Sequence, residues 1–337
     1  MDRGDNRKKP QRLRFSFLKI MTGPDLTPRR LALMEVKSIN PGPRVWLTGC
    51  GHGDEVGGIA VIQELFKRLK KEPLKQGIVQ AFPLMNPTGF ESSSRLIALT
   101  KEDLNRSFPG NPMGSLAERI ADKIFTAIAQ SKPDLVLDLH NDWIRSMPYA
   151  LIDLPLGPRH RALHEKVKNC ARKTGLVMIH EQESPANRQE LGKTLTGSLL
   201  RYEIPALVLE LGEAFVVNED NVADGVRAIW NLLASLDMTA ALPGEFNHRV
   251  PDRVKGRPLA YSHQPVSSSS GIVRFLARPG DLVKKGQRFA RVYNVFGKLQ
   301  ETLSAAGDAL VLGHSDSSAA LPGAPVMAFG NLKEDRP

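Results

Sequence analysis

The chain has 337 residues, 41% hydrophobic, 24% charged and 6% aromatic, which excludes a disordered, collagen-like or fibrous protein and suits one large or two ordinary domains. Its two cysteines, Cys50 and Cys170, exclude a disulfide framework or a thiolate zinc cluster, so stability must come from a buried core that a reducing cytoplasm would not harm. The formal charge of +10 lies mostly in residues 1–14 and in residues 246–337, where thirteen basic side chains face seven acidic ones. That placement, with few aromatics for base stacking, argues against a nucleic-acid partner and suits attraction of a small acidic molecule. No run reaches the roughly 18 apolar residues that span a membrane, and none precedes a cleavage site. The expected location is the cytoplasm, with no membrane partner and with assembly into a homo-oligomer left open.

Residues 1–14 read as a solvated basic tail. LALMEVKS and RVWLTG, separated by the turn residues NPGP, read as two strands. In VGGIAVIQELFKRLKK the residues Ile59, Ile62, Leu65, Phe66 and Leu69 recur at helical spacing, and basic residues fill the last turn. GIVQAFPLMN is a further strand. A long polar stretch from Pro87 to Pro112 has no period, and such loops inside a domain are usually functional. SLAERIADKIFTAIAQ is a helix whose Ser115 and Glu118 form a capping box. PDLVLDLH and PALVLELG are continuous apolar strands. HRALHEKVKNCARKTG, TLTGSLLRYEI and NVADGVRAIWNLLASL are helices. Strands apolar on both faces and alternating with helices predict an α/β fold, a mostly parallel mixed sheet with helices on both faces, over residues 15–245. From about residue 246 to 337 short strands broken by Pro-Gly-Asp and Lys-Gly turns predict a small all-β C-terminal domain. Its RPGDLVKKGQ turn is similar to those of biotinyl and lipoyl carriers. It lacks their attachment lysine, so a barrel-sandwich-like lid or interface module is expected. Arg274 and Arg278 are its candidates for steering anionic substrates.

The chemistry-bearing residues fall at predicted strand ends. His52 and Glu55 lie three apart in the glycine-rich turn GCGHGDE, where both can face one cation; a polar turn after a strand would contain the same pair. His140 ends a buried strand, where open α/β sheets place ligand residues, with Asp138 on the same face to steer it. Glu210 sits inside a Leu/Val run, where an unpaired carboxylate is costly; Glu213 in the following turn is its rival. Together His52, Glu55, His140 and Glu210 offer two imidazoles and a carboxylate for a metal, with a second carboxylate free as a base. Such a donor set suits zinc and also cobalt, manganese or iron. The long loop adds Arg95, Asn105 and Arg106, whose guanidinium groups suit carboxylate binding or carbonyl polarisation.

HGDE after a strand, NPTGF, DLNRSFPG, DLH and LELG occur in that order over residues 30–245. On these motifs the chain resembles the succinylglutamate desuccinylase/aspartoacylase family of the zinc carboxypeptidase-like superfamily. The resemblance implies one Zn2+ held by His52, Glu55 and His140, with Glu210 as the general base. It implies that Arg95 polarises the scissile carbonyl, while Asn105 and Arg106 hold the substrate carboxylate. The implied partner is a small-molecule N-acyl amino acid, and the implied reaction is hydrolysis of a linear amide other than a peptide bond. The C-terminal segment is similar to the domain that leans over the family's active-site mouth. An arginine that the family uses shortly before its catalytic Glu has no clear counterpart, Arg201 being near but out of place. The SFPGNPMGSLAERIA run looks like the bacterial branch that includes enzymes acting on N-acetylated diamino acids. The alternatives are a metallocarboxypeptidase acting on short peptides and a non-enzymatic binding protein on the same fold.

Overall fold

The structure is a computed structural model and describes residues 11–23, 26–244, 246, 250–314 and 318–332. The first ten residues of the expected tail lie outside that range. The strands are β1 (Arg12–Thr22), β2 (Pro28–Lys37), β3 (Arg44–Gly49), β4 (Ile78–Phe82), β5 (Leu135–His140), β6 (Arg145–Ser146), β7 (Pro148–Ile152), β8 (Met178–His180) and β9 (Ala206–Leu211). The C-terminal region adds β10 (Pro258–Ser262), β11 (Gly271–Phe275), β12 (Leu282–Val283), β13 (Arg288–Tyr293), β14 (Leu299–Ser304), β15 (Ala309–His314), β16 (Ala319–Ala320) and β17 (Met327–Asn331). The helices are α1 (Gly57–Lys71), α2 (Pro87–Glu91), α3 (Leu116–Gln130), α4 (Arg161–Thr174), α5 (Pro185–Leu191), α6 (Leu195–Arg201) and α7 (Glu219–Ser235). None of the helices is long and apolar enough to cross a membrane, among the described residues.

The large sheet runs β1-β2-β4-β3-β5-β9-β7-β8-β10-β17-β15-β12. Its centre, β4-β3-β5-β9, is parallel. β3 and β5 are covered on both faces, which is why they read as unbroken apolar runs. α1 and α7 pack on one another and on this centre, α6 lies against it too, and α3 packs on α6 and β1. The core spans Trp46, Leu47, Leu65, Phe66, Leu137, Leu139, Leu207 and Trp230, each at most 2% exposed. Helix α3 starts on the expected capping box: Ser115 Oγ accepts from Glu118 N at 3.3 Å, and Glu118 Oε2 accepts from Ser115 N at 2.8 Å.

Three features depart from the sequence reading. Arg12 to Arg14 begin an 11-residue edge strand, β1, rather than a solvated tail. Phe15 and Phe17 are 66% and 65% exposed there, so the strand is held by pairing along β2 and its pattern carries little burial signal. The short strands β7 and β8 also escape sequence notice; β7 runs antiparallel to β9, and β8 parallel to β7. Finally, the architecture changes near residue 246 but the sheet does not break there. β10 pairs in parallel with β8 from Pro258↔Met178 to Ala260↔His180, and β17, β15 and β12 continue the large sheet. Met147, Tyr149 and Ile179 share one apolar cluster with Val254, Leu259 and Leu310. Only β14-β13-β11-β16 form the separate antiparallel sheet, which packs through Val273, Phe289 and Val292 on Val311 and Phe329.

Candidate active site

Strand order places the site. From β3 the chain crosses one way to β4, then returns to the other side of β3 as β5, so a crevice opens at the carboxyl ends of β3 and β5. The turn after β3 delivers His52 and Glu55. Gly53 is required there, because a Cβ at this position would lie 2.0 Å from the Gly89 carbonyl carbon. His140 ends β5, and in register His140 lies opposite Glu210 on β9, so both side chains leave the same face.

His52, Glu55 and His140 are all buried, and their donor atoms lie within 4.8 Å of one another. Glu55 Oε1 is 2.5 Å from His52 Nδ1, and Glu55 Oε2 is 2.7 Å from His140 Nδ1. The far nitrogens face other carboxylates. His140 Nε2 is 3.0 Å from Asp138 Oδ2, whose other oxygen accepts from Thr48 Oγ1 at 2.7 Å. His52 Nε2 lies 3.3 Å from Asp103 Oδ1, within ion-pair range though not aligned as a hydrogen bond. Two imidazoles and a carboxylate, all buried and backed by carboxylates, are a donor set that fits Zn2+. Burial opposes the charge on Glu55, but His52 and His140 outweigh it and hold the carboxyl well below its usual value. Burial likewise works against His140, yet Asp138 and Glu55 keep its pKa well above that of an ordinary imidazole.

Glu210 stands on the adjoining strand with Oε2 shut off from solvent and without a hydrogen-bond partner. Burial first, then Asp142, with Glu55 and Asp138 adding, raises its pKa well above the carboxylate norm, against a lowering by His140. Glu213, the rival, faces away: it accepts from Asn218 Nδ2 at 3.3 Å and from Asn221 Nδ2 at 2.5 Å, at the start of α7.

The long loop folds back over the crevice. Asn86 caps α2 by accepting from Gly89 N at 2.9 Å, and its Nδ2 donates to the Arg95 carbonyl at 3.4 Å. The Arg95 guanidinium is thereby aimed inward, 3.7 Å from Glu55 Oε1 and 3.1 Å from Asp103 Oδ2. Asn105 Nδ2 lies 3.5 Å from His140 Nε2, while its Oδ1 accepts from Leu195 N at 2.9 Å. Arg106 sits at the mouth, donating to the Asn105 carbonyl at 3.0 Å and pairing with Glu190 at 3.3 Å. His52, Glu55, His140, Glu210, Arg95, Asn105 and Arg106 therefore gather around one crevice. Arg201 does not: it bonds the Gly192 carbonyl at 3.2 Å. Arg278 lines a different cavity with Arg145 and Asp220, while Tyr261 and His263 are the C-terminal residues beside Arg106.

Two residues of the site went unassigned in the sequence. Asp103 caps the turn of Leu104 to Arg106 by accepting from Asn105 N at 2.8 Å, and it links Arg95 to His52. Burial opposes its charge, but His52, Arg95 and Arg106 hold its pKa low. Its place as the capping acid of DLNR was the available signal. Asn141, directly after His140, donates its N–H to Glu55 Oε2 at 3.1 Å, accepts from Gly57 N at 2.9 Å and donates to the Glu213 carbonyl at 2.8 Å. It thus locks three strand ends together.

Fold and donors together describe an α/β protein with a candidate metal centre where its parallel strands end. Residues 41–236, more than half of the chain, match the succinylglutamate desuccinylase/aspartoacylase catalytic domain, and the protein belongs to that family. Among similar proteins is the N-alpha-acetyl-L-2,4-diaminobutyric acid deacetylase of Halomonas elongata, 29% identical over 299 residues, covering 84% of this chain and 80% of the relative. Among solved structures, the product-bound ectoine utilization protein EutE of Ruegeria pomeroyi superposes with a TM-score of 0.78 at 20% identity, over 96% of this chain and 97% of that one. A succinylglutamate desuccinylase/aspartoacylase from Rhodobacter sphaeroides gives 0.77 at 22% identity over 99% of both chains. At these identities the two structures bear on the fold alone.

Proposed function

We propose that the protein is a zinc-dependent deacylase that hydrolyses the amide bond of N-acyl amino acids. The observation that carries this is the meeting of His52, Glu55 and His140 within 4.8 Å, with Glu210 in register beside His140. His52, Glu55 and His140 would hold the ion. When bound, Zn2+ supplies Lewis acidity, polarising a carbonyl and bringing the ionisation of water towards neutral pH. Glu210 takes the proton of the attacking water and returns it to the leaving nitrogen, with burial raising its pKa above the carboxylate norm. The Arg95 guanidinium, held by Asp103, faces the oxygen where negative charge develops. Asn105 Nδ2 and Arg106 anchor the substrate carboxylate and so fix the amide in the crevice. The products are a carboxylate and a free amino acid. The Halomonas relative's name supports acetyl as the acyl group and a diamino acid as the leaving group.

Metal content by elemental analysis, followed by amine release from a panel of N-acyl amino acids and short peptides, tests the proposal. Stoichiometric zinc with chelator-sensitive release from the acyl amino acids is expected. Cleavage of peptides alone would make the protein a carboxypeptidase, and metal-free ligand binding without turnover would make it a binding protein.

A further inference from the structure

Beside Arg106 lies a cavity of about 280 Å3 walled by Glu181, Glu190, Thr194, Tyr261 and His263. Its charges do not balance. Arg106 is its one strong cation, and Glu190 already pairs with it at 3.3 Å while remaining 63% exposed, free to swing out when a substrate carboxylate arrives. Burial lowers the His263 pKa and raises that of Tyr261, so neither carries charge at neutral pH. Glu181 is therefore left with only the partial attraction of Arg106, whose charge Glu190 already shares, and burial raises its pKa. It is half-buried, and among the described residues no Lys, Arg or His pairs with it. Both hydrogen bonds that it accepts, from Gln182 N at 2.8 Å and Asn187 Nδ2 at 3.3 Å, fall on Oε1, which leaves Oε2 for a donor.

A second carboxylate stands alongside. Glu181 follows β8 and Asp153 follows the paired strand β7, and Glu181 N donates to the Ile152 carbonyl at 3.0 Å. Asp153 is only 7% exposed, and its Oδ2 has no hydrogen-bond partner. It opens on an adjoining cavity of about 310 Å3 that shares Leu191 with the first. Arg188 and Arg201 also line that second cavity, but Arg188 pairs with Glu183 and Arg201 bonds the Gly192 carbonyl, so a buried unpartnered oxygen next to an acid outside any ion pair makes a wall that favours a cationic group.

We propose that Glu181 selects substrates by charge: the amino acid released at this site carries a cationic side chain, a short-chain ammonium meeting Glu181 Oε2 while the α-carboxylate rests on Arg106. The assignment rests on the deacylase reading only for the anchoring role of Arg106, and its test does not require turnover.

Calorimetry on the full chain, with and without added Zn2+, would compare L-2,4-diaminobutyrate with its neutral isostere L-norvaline. The wild type should prefer the diamino acid by about tenfold or more, the scale of a charge-assisted hydrogen bond. Glu181→Gln, which keeps the acceptor for Gln182 and Asn187, should abolish the preference and leave norvaline binding unchanged, while Glu190→Gln should retain it. Added salt should shrink the wild-type preference, a readout that needs no variant. Equal binding of the two ligands by the wild type, or a preference that survives Glu181→Gln, would overturn the proposal. So would loss of the preference in Asp153→Asn alone, since Asp153 would then be the selecting group. A wild type that shows the Glu181-dependent preference yet cleaves no N-acyl amino acid would refute the deacylase reading and leave this one standing.

Discussion

Asp138 offers the sharpest test of the proposed metal centre, because its direct contacts are with His140 and Thr48. Its side chain is 1% exposed, one oxygen 3.0 Å from His140 Nε2 and the other accepting from Thr48 Oγ1 at 2.7 Å. Asn at this position keeps the shape and both contacts, with its oxygen towards the imidazole and its amide towards the hydroxyl. Only the negative charge is lost, and with it the added basicity of His140. Losing such a partner typically costs 10- to 100-fold in metal affinity, about 1.4 to 2.7 kcal/mol. Asp138→Ala goes further, stranding the buried His140 nitrogen and weakening the Thr48 contact. Each stranded group costs about 1 to 3 kcal/mol, so this variant should also unfold at lower temperature. Protons complicate the measurement in a useful way. Asp138 and Glu55 raise the His140 pKa, so in the wild type a proton competes with the metal for this imidazole. Removing the charge weakens both ligands. The difference between Asp138→Asn and wild type should therefore be widest at alkaline pH and narrow as pH falls. Competition against a chromophoric chelator across pH reads the affinity, and circular dichroism checks the fold. Unchanged zinc affinity in a folded Asp138→Asn at high pH would refute the view that this carboxylate supports a ligand.

Glu210→Gln should retain zinc yet lose about 10^2- to 10^4-fold in kcat, measured as amine release; near-normal turnover would remove Glu210 as the base and return attention to Glu213. Arg95→Ala should mainly lower kcat and Arg106→Ala mainly raise KM; the reverse split would mean that the two roles are exchanged. Asp153 has its pKa raised by burial to about 6, against an unperturbed 3.8. A raised folded-state value contributes stability that is full below the unfolded pKa and is lost as pH climbs through the folded one, so this loss spans pH 4 to 6 and amounts to about 3 kcal/mol. Asp153→Asn keeps an acceptor for Thr196 and should raise the melting temperature at pH 7 to 8 but not at pH 4; an equal shift at both would exclude the titration as its origin.

Much of the crevice was legible in the linear chain because the chemistry sits where local patterns end. His140 closes one run of apolar residues and Glu210 sits near the end of another, and short runs of this kind read as strands buried on both faces. His52 and Glu55 share a four-residue stretch behind another such run, so no folding was needed to see them as a pair. The helices α1, α3 and α7 announce themselves by apolar period, and α3 also by its capping box. Other features depended on pairings between distant segments, which leave no local mark. β8 has three residues and β7 five, too few to show a period, yet they bring Asp153 beside Glu181 and give β10 an edge to extend. Glu210 and Glu213 differ in space, Glu210 in register with His140 and Glu213 bonded to two asparagines of the α7 start. Asp103 reaches His52 across 51 positions of chain, and Asn141 reaches Glu55 across 86. Residue type and periodicity therefore specified the central strands β3, β5 and β9 and the candidate donors near their ends. The order of strands in the sheet decided which donors meet and which acids stand beside them, since hydrogen-bonded register, unlike periodicity, is a property of two segments at once.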